Sequence, residues 1–224
     1  MTAPARFGGW LFDLDGTLID TAPDMTDTLA ELCRAHGTRP PEYRLARASI
    51  TNGAAGLIRL AFPDWDEDAR QALYGEYLQR YADRIHRSSR LFEGMEEVLA
   101  AIEAAGVPWG IVTNKPQALT DALLEGLGLH TRSRVSIGGD ALPERKPHPM
   151  PLLHAARGLA VDAADCVYVG DNLRDVEAGR AAGMRTIAAA YGYLLPDDDV
   201  RGWQADLVIE HPVALLPMLE EARG

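Results

Sequence analysis

Apolar and polar positions along the chain follow two different periods. From Gly9 the run Trp10-Leu11-Phe12 is apolar without interruption, as in a buried strand. After Asp20 the spacing becomes helical. Met25, Leu29, Leu32 and Cys33 repeat on one face, with Thr21 placed to cap the helix, Pro23 in its first turn and Gly37 closing it. Similar spacing predicts helices near 42–50, 54–62 and 66–87, the last with a packing stripe of Leu73, Tyr77 and Tyr81. No strand is predicted between 20 and 90. The stretch Thr51-Asn52-Gly53-Ala54-Ala55-Gly56 reads as a loop whose small residues allow close backbone approach to another surface.

Leu91-Phe92-Glu93-Gly94 reads as a hinge, and beyond it strands and helices alternate. A helix from Met95 to near Gly106 carries Val98, Leu99 and Ile102 on one face. Strands are predicted at 107–112, 135–137, 166–169, 185–189 and 207–209, and helices at 116–127, about 150–159, about 174–182 and from Pro212 onward. Strand–helix alternation with short connections implies a parallel sheet covered on both faces. The expected organisation is an α/β core formed by 1–19 and 91–224, with an all-helical insert at 20–90.

Composition narrows the function. The chain has 224 residues, 47% of them hydrophobic, which suits a soluble globular protein. No apolar run reaches the length of a membrane span, and the start MTAPARFGGW lacks the apolar core of a signal peptide. The expectation is a cytoplasmic protein with no membrane partner, a monomer or homodimer. Cys33 and Cys166 are far apart and form no CxxC pair, as expected of reduced, buried thiols. A formal net charge of −11 argues against a nucleic-acid partner. Of the 22 basic side chains only Lys115 and Lys146 are lysines.

Chemistry gathers at the predicted strand ends, where open α/β sheets bind ligands. The first strand ends in Asp13 and Asp15, followed by Gly16 and Thr17. Two carboxylates there cost stability unless the strand delivers them to a cation. A turn at Gly16 can bring them side by side, so that one attacks while the other gives and takes a proton. Thr113 and Asn114 end another strand, where a hydroxyl and backbone N–H groups can donate to an anionic oxygen. Lys146, in Lys146-Pro147-His148-Pro149, is a compact charge able to offset crowded anions. Asp171 and Asp175 sit at a strand end and one helical turn later, able to face one point. Hard oxygen ligands so placed suit Mg²⁺.

These four segments, in this order, resemble the signature motifs of the haloacid dehalogenase superfamily, in its phosphatase branch. DLDGTLIDT at Asp13–Thr21 carries the first and VGDNLRD at Val169–Asp175 the fourth. The resemblance implies a Rossmann-like core with a helical cap at 20–90. It also implies a Mg²⁺-dependent phosphomonoesterase acting on a small phosphorylated metabolite. Asp13 would be the nucleophile that forms an aspartyl-phosphate, and Asp15 the acid–base group. Asp13, the Asp15 backbone carbonyl and Asp171 would hold the metal, supported by Asp175. Thr113, Asn114 and Lys146 would hold the phosphoryl oxygens, with Asn52, Gly53 and Arg174 as candidates for substrate recognition. His148 is read as local structure. The metal answers a real difficulty, since two like charges at 4 Å repel by roughly 4 kcal/mol at an effective dielectric of 20. Asp15 speaks against the dehalogenases and transport ATPases, and the absence of lysine between 20 and 90 against a phosphonoacetaldehyde hydrolase. Within the branch the chain resembles phosphoglycolate phosphatases and N-acetylmuramic acid 6-phosphate phosphatases. LFEGM at 91–95, WGIVTNKP at 109–116 and the stretch from Tyr191 to Pro212 tilt the reading to the latter. A sugar-phosphate mutase and a non-catalytic binding module on the same fold are the alternatives.

Overall fold

The computed structural model describes residues 7–220. The stretch 1–6, part of the signal-peptide reading, lies outside the described residues. Strand β1 (Gly9–Phe12) is buried throughout. Strand β2 (Ile19–Asp20) leads into helices α1 (Ala22–Ala35), α2 (Tyr43–Ser49), α3 (Gly53–Ala61) and α4 (Glu67–Ala82), and β3 (Arg90–Leu91) leads out of them. The alternating part follows as α5 (Met95–Ala104), β4 (Trp109–Val112), α6 (Gln117–Gly126), β5 (Val135–Ile137) and α7 (Met150–Leu159). It closes with β6 (Cys166–Gly170), α8 (Leu173–Ala181), β7 (Arg185–Ala189), β8 (Leu207–Ile209) and α9 (Leu216–Glu220).

Six strands form one parallel sheet in the order β5-β4-β1-β6-β7-β8. The apolar run of β1 is explained by its central place. Side chains alternate along a strand, so Trp10 and Phe12 belong to the same buried cluster as Val98, Leu99 and Ile102 of α5. Leu11 packs on the other face with Leu152, Ala155 and Leu159 of α7. With helices on both faces, no polar side is left and the strand reads as continuously hydrophobic. Because β4 and β6 flank β1 on opposite sides, the chain reverses its winding direction there. A crevice opens at the carboxyl end of β1, where such folds bind ligands.

The structure departs from the sequence reading at the edges of the helical segment. Its two connections are strands, not coil. Ile19 pairs with Leu91 and Asp20 with Arg90, antiparallel. Two residues are too few for a period to register. Asp24 of α1 tightens this junction: its buried carboxylate accepts from Ser88 N–H (2.9 and 3.0 Å), Ser89 N–H (2.8 Å) and Ser89 Oγ (2.7 Å). Helix α4 ends at Ala82 rather than 87, because Ile85 extends the apolar spacing of Tyr77 and Tyr81 past the last helical turn. The predicted loop at 51–56 is helical. A 3₁₀ turn over Ile50–Asn52 runs into α3 at Gly53, whose φ is +68°. Thr21 does not cap α1 with its side chain. The helix expected from Pro212 begins as a 3₁₀ turn over Pro212–Leu215 and becomes α-helical at Leu216.

Candidate active site

The crevice holds a cleft of about 510 Å³ with walls from both the sheet and the helical segment. Asp13, the first residue past β1, is fixed by its N–H, which donates to the Val169 carbonyl of β6 at 2.8 Å. The tight turn after it requires glycine. Gly16 has φ +87°, and a Cβ there would collide with the Asp171 carboxylate. The turn is what lets Thr17 reach Asp171, its Oγ1 donating to Oδ1 at 3.1 Å. The backbone N–H of Tyr193 donates to the other oxygen of Asp171 at 2.7 Å.

Asp175 is oriented by the start of α8. Its Oδ2 accepts from Asn172 N–H at 3.0 Å while the Asn172 side chain accepts from Arg174 N–H, a reciprocal cap. This leaves Asp175 Oδ1 facing inward. Asp13, Asp171 and Asp175 each bring a carboxylate oxygen to within 4.8 Å of the others. Three acidic groups so close repel one another away from water. Burial, with Asp13 and Asp175 beside it, pushes Asp171 up to about 8. Burial raises Asp175 to about 6, against the pull of Lys146. Lys146 Nζ sits 2.8 Å from both Asp13 Oδ1 and Asp175 Oδ1, but its aligned hydrogen bond goes to Tyr168 Oη at 2.7 Å. Those two carboxylate oxygens are buried and lack hydrogen-bond partners. Burial alone would pull Lys146 down; the two carboxylates reverse this and its pKa is raised. One ammonium does not balance three carboxylates. The donor set, three carboxylates of hard oxygens with a single ammonium among them, fits a small divalent cation.

The other sequence candidates fall around this cluster unequally. Asp15 lines the cleft, but its side chain lies outside the acidic group: Thr21 Oγ1 donates to its Oδ1 at 2.7 Å, and Lys115 Nζ lies 3.1 Å from both its oxygens. Thr113 is buried on the cleft wall and accepts from Lys115 N–H at 3.2 Å, which leaves its hydroxyl hydrogen available. Asn114 donates from Nδ2 to the Lys146 carbonyl at 3.0 Å, so this amide also ties two loops together. Asn52 and Gly53 line the cleft from the helical side, and Asn52 is exposed. Arg174 spans the two walls, donating to Asn172 Oδ1 at 2.8 Å and to the Thr51 carbonyl. His148 is exposed and its Nδ1 accepts from Met150 N–H at 3.1 Å, a local contact.

Several contributors were not assigned from the sequence. Tyr168 relays from Lys146 to the Val112 carbonyl, donating to it at 2.7 Å. Tyr193 offers its backbone N–H to Asp171 and its hydroxyl to Asp20 at 2.8 Å. Tyr81, read only as a packing residue, accepts from Lys115 at 2.9 Å. No local pattern marks a tyrosine for these tasks. The one available signal was that both lysines of the chain fall inside motifs.

Comparisons with known proteins identify relatives of the chain. The family model described as haloacid dehalogenase-like hydrolase matches residues 10–189. A phosphoglycolate phosphatase of Xylella fastidiosa is 49% identical over 202 residues, 90% of this chain and 88% of its own. An N-acetylmuramic acid 6-phosphate phosphatase of Pseudomonas aeruginosa is 40% identical over 218 residues, 97% of this chain and 96% of its own. The crystal structure of a protein described as a predicted phosphoglycolate phosphatase from Haemophilus somnus superposes with a TM-score of 0.85. It is 25% identical, with 95% of this chain and 98% of that one covered. Among the described residues no helix is long and apolar enough to cross a membrane.

Proposed function

Because the chain belongs to the haloacid dehalogenase-like hydrolases, as a phosphoric monoester hydrolase, we propose that it works through an aspartyl-phosphate on Asp13. The observation that carries this is the convergence of Asp13, Asp171 and Asp175 beside Lys146. Asp13, the Asp15 backbone carbonyl and Asp171 would hold Mg²⁺, with Asp175 supporting them. A bound Mg²⁺ would neutralise the repulsion between the attacking carboxylate and a phosphate dianion. Asp13 attacks phosphorus, and the ester oxygen leaves with a proton from Asp15. Asp15 then takes a proton from the water that frees Asp13. Thr113, Asn114 and Lys146 hold the equatorial oxygens, where positioning and charge matter more than further covalent chemistry. Residues 20–90 serve as a cap whose packing on the core excludes bulk water.

For the substrate, the reading is N-acetylmuramic acid 6-phosphate, with 2-phosphoglycolate as the second. The cleft supports the larger ester. Beyond the carboxylates it is walled by Met25, Ile50, Tyr74, Leu78 and Leu119. An amino-sugar ring can lay an apolar face on such a wall, which a two-carbon acid leaves unfilled. Asn52, Gly53 and Arg174 line the same cleft and are the candidates for meeting polar substituents of the sugar. The similarity to the Xylella fastidiosa protein favours phosphoglycolate, so both esters belong in one test. Comparing kcat/KM for the two, with Mg²⁺ and with EDTA, should give at least about tenfold preference for the sugar phosphate, or about 1.4 kcal/mol in transition-state binding. The reverse preference would replace the substrate reading. Activity that survives EDTA would overturn the metal reading.

A further inference from the structure

Lys115 is a buried cation to which the proposed chemistry gives no task. Its side chain is 4% exposed, and its Nζ lies 3.1 Å from both oxygens of Asp15. Among the described residues, no other cation lies within salt-bridge distance of Asp15. The lysine backbone is itself fixed, its N–H donating to Thr113 Oγ1 at 3.2 Å and its carbonyl accepting from Gly139 N–H at 2.8 Å. Its remaining donor goes to the Tyr81 hydroxyl at 2.9 Å. Tyr81 belongs to α4, on the opposite wall of the cleft. It is 1% exposed and stacks on Tyr77, whose hydroxyl donates to the Met25 carbonyl at 3.0 Å. A continuous chain therefore runs from the helical segment through Tyr81 and Lys115 to Asp15.

We infer that Lys115 is a positioning residue that aims the Asp15 carboxylate at the leaving-group oxygen, and that Tyr81 makes this aim depend on the helical segment being seated on the core. The inference rests on the acid–base reading of Asp15 given above. Its physical basis is geometric. A carboxylate gripped through both oxygens by a buried ammonium loses its freedom to rotate, and misplacement of a proton donor by about 1 Å can cost about 100-fold in rate. Withdrawal of α4 removes the Tyr81 contact and frees the lysine to follow other partners in the cleft.

The test separates proton delivery from general damage. Wild type, Lys115→Met, Lys115→Arg and Tyr81→Phe are assayed with Mg²⁺ on 4-nitrophenyl phosphate, whose leaving group needs no proton. They are also assayed on whichever of the two alkyl esters above the wild type cleaves faster. Lys115→Met should lose about 100-fold in kcat/KM on the alkyl ester and less than about fivefold on the aryl ester, because kcat/KM reports the steps up to departure of the leaving group and not the later hydrolysis that needs Asp15 for both. Lys115→Arg should recover part of the loss, and Tyr81→Phe should show a smaller loss with the same bias. Equal losses on both esters, or none, would overturn the inference. Should Lys115→Met fail to fold, the bias in Tyr81→Phe decides in the same way. A wild type inactive on every ester would instead count against the phosphatase reading.

Discussion

Lys146 Nζ and Asp175 Oδ1 lie 2.8 Å apart with both side chains 1% exposed, and the same ammonium lies 2.8 Å from Asp13. It is a structural counter-ion as well as a candidate phosphate ligand. Removing one partner of a buried pair leaves an uncompensated charge and costs about 3–5 kcal/mol. Lys146→Met should therefore lower stability by about that amount as well as abolish turnover, measured by urea unfolding without metal. Lys146→Met combined with Asp175→Asn should recover part of the stability and none of the activity. A Lys146→Met protein as stable as wild type would show that the carboxylates do not depend on it.

Asp13→Asn should keep the fold and lose more than about 10⁴-fold in kcat, because an amide cannot attack phosphorus. Asp15→Asn should lose about 10²- to 10⁴-fold on alkyl esters. It should still form a phosphorylated protein with an aryl ester, detectable by mass spectrometry after acid quench. Turnover at the wild-type rate in either variant would remove the residue from its role.

Much of this site was legible because strand ends and turn residues are local signals. The apolar run before Asp13, the Gly16 turn and the spacing of Asp171 from Asp175 all survive in the structure. What was not legible depends on chain segments far apart in sequence. The pairing of Ile19 with Leu91 and the Tyr81–Lys115 contact have no periodicity to announce them. Thr21 shows the limit of a local rule: its hydroxyl goes to Asp15 at 2.7 Å rather than to the helix it precedes, because tertiary approach offers a charged acceptor.

Gly16→Ala tests the turn that brings β1 to the metal ligands. A left-handed alanine costs roughly 1–2 kcal/mol, and the added methyl meets the Asp171 carboxylate. Thermal melts without metal should fall by roughly 2–8 °C. The further rise in melting temperature produced by Mg²⁺ should shrink more, because Asp171 is displaced. A variant that melts lower yet gains the full Mg²⁺ increment would mean that Asp171 does not hold the metal.

The acidic cluster should make stability depend on pH. Burial, Asp13 and Asp175 raise Asp171 to about 8 in the metal-free protein, against about 3.9 in an unfolded chain. The native state therefore keeps a proton that the unfolded state has already lost. Stability must fall as pH rises between these values and level off above the higher one. Mg²⁺ competes with that proton, so its apparent affinity should tighten as pH rises toward 8, with proton release measurable by calorimetry in buffers of different ionisation enthalpy. Asp171→Asn separates the two effects. The Tyr193 N–H can still donate to the amide oxygen while Thr17 turns its hydroxyl to accept from the amide nitrogen, so the fold has partners for the new group. Without metal, the variant should melt higher than wild type at pH 9 and differ little at pH 5, and Mg²⁺ should no longer stabilise it. An apo wild type whose stability rises with pH across this range would contradict a protonated Asp171 and, with it, the view that repulsion within the acidic cluster drives metal capture.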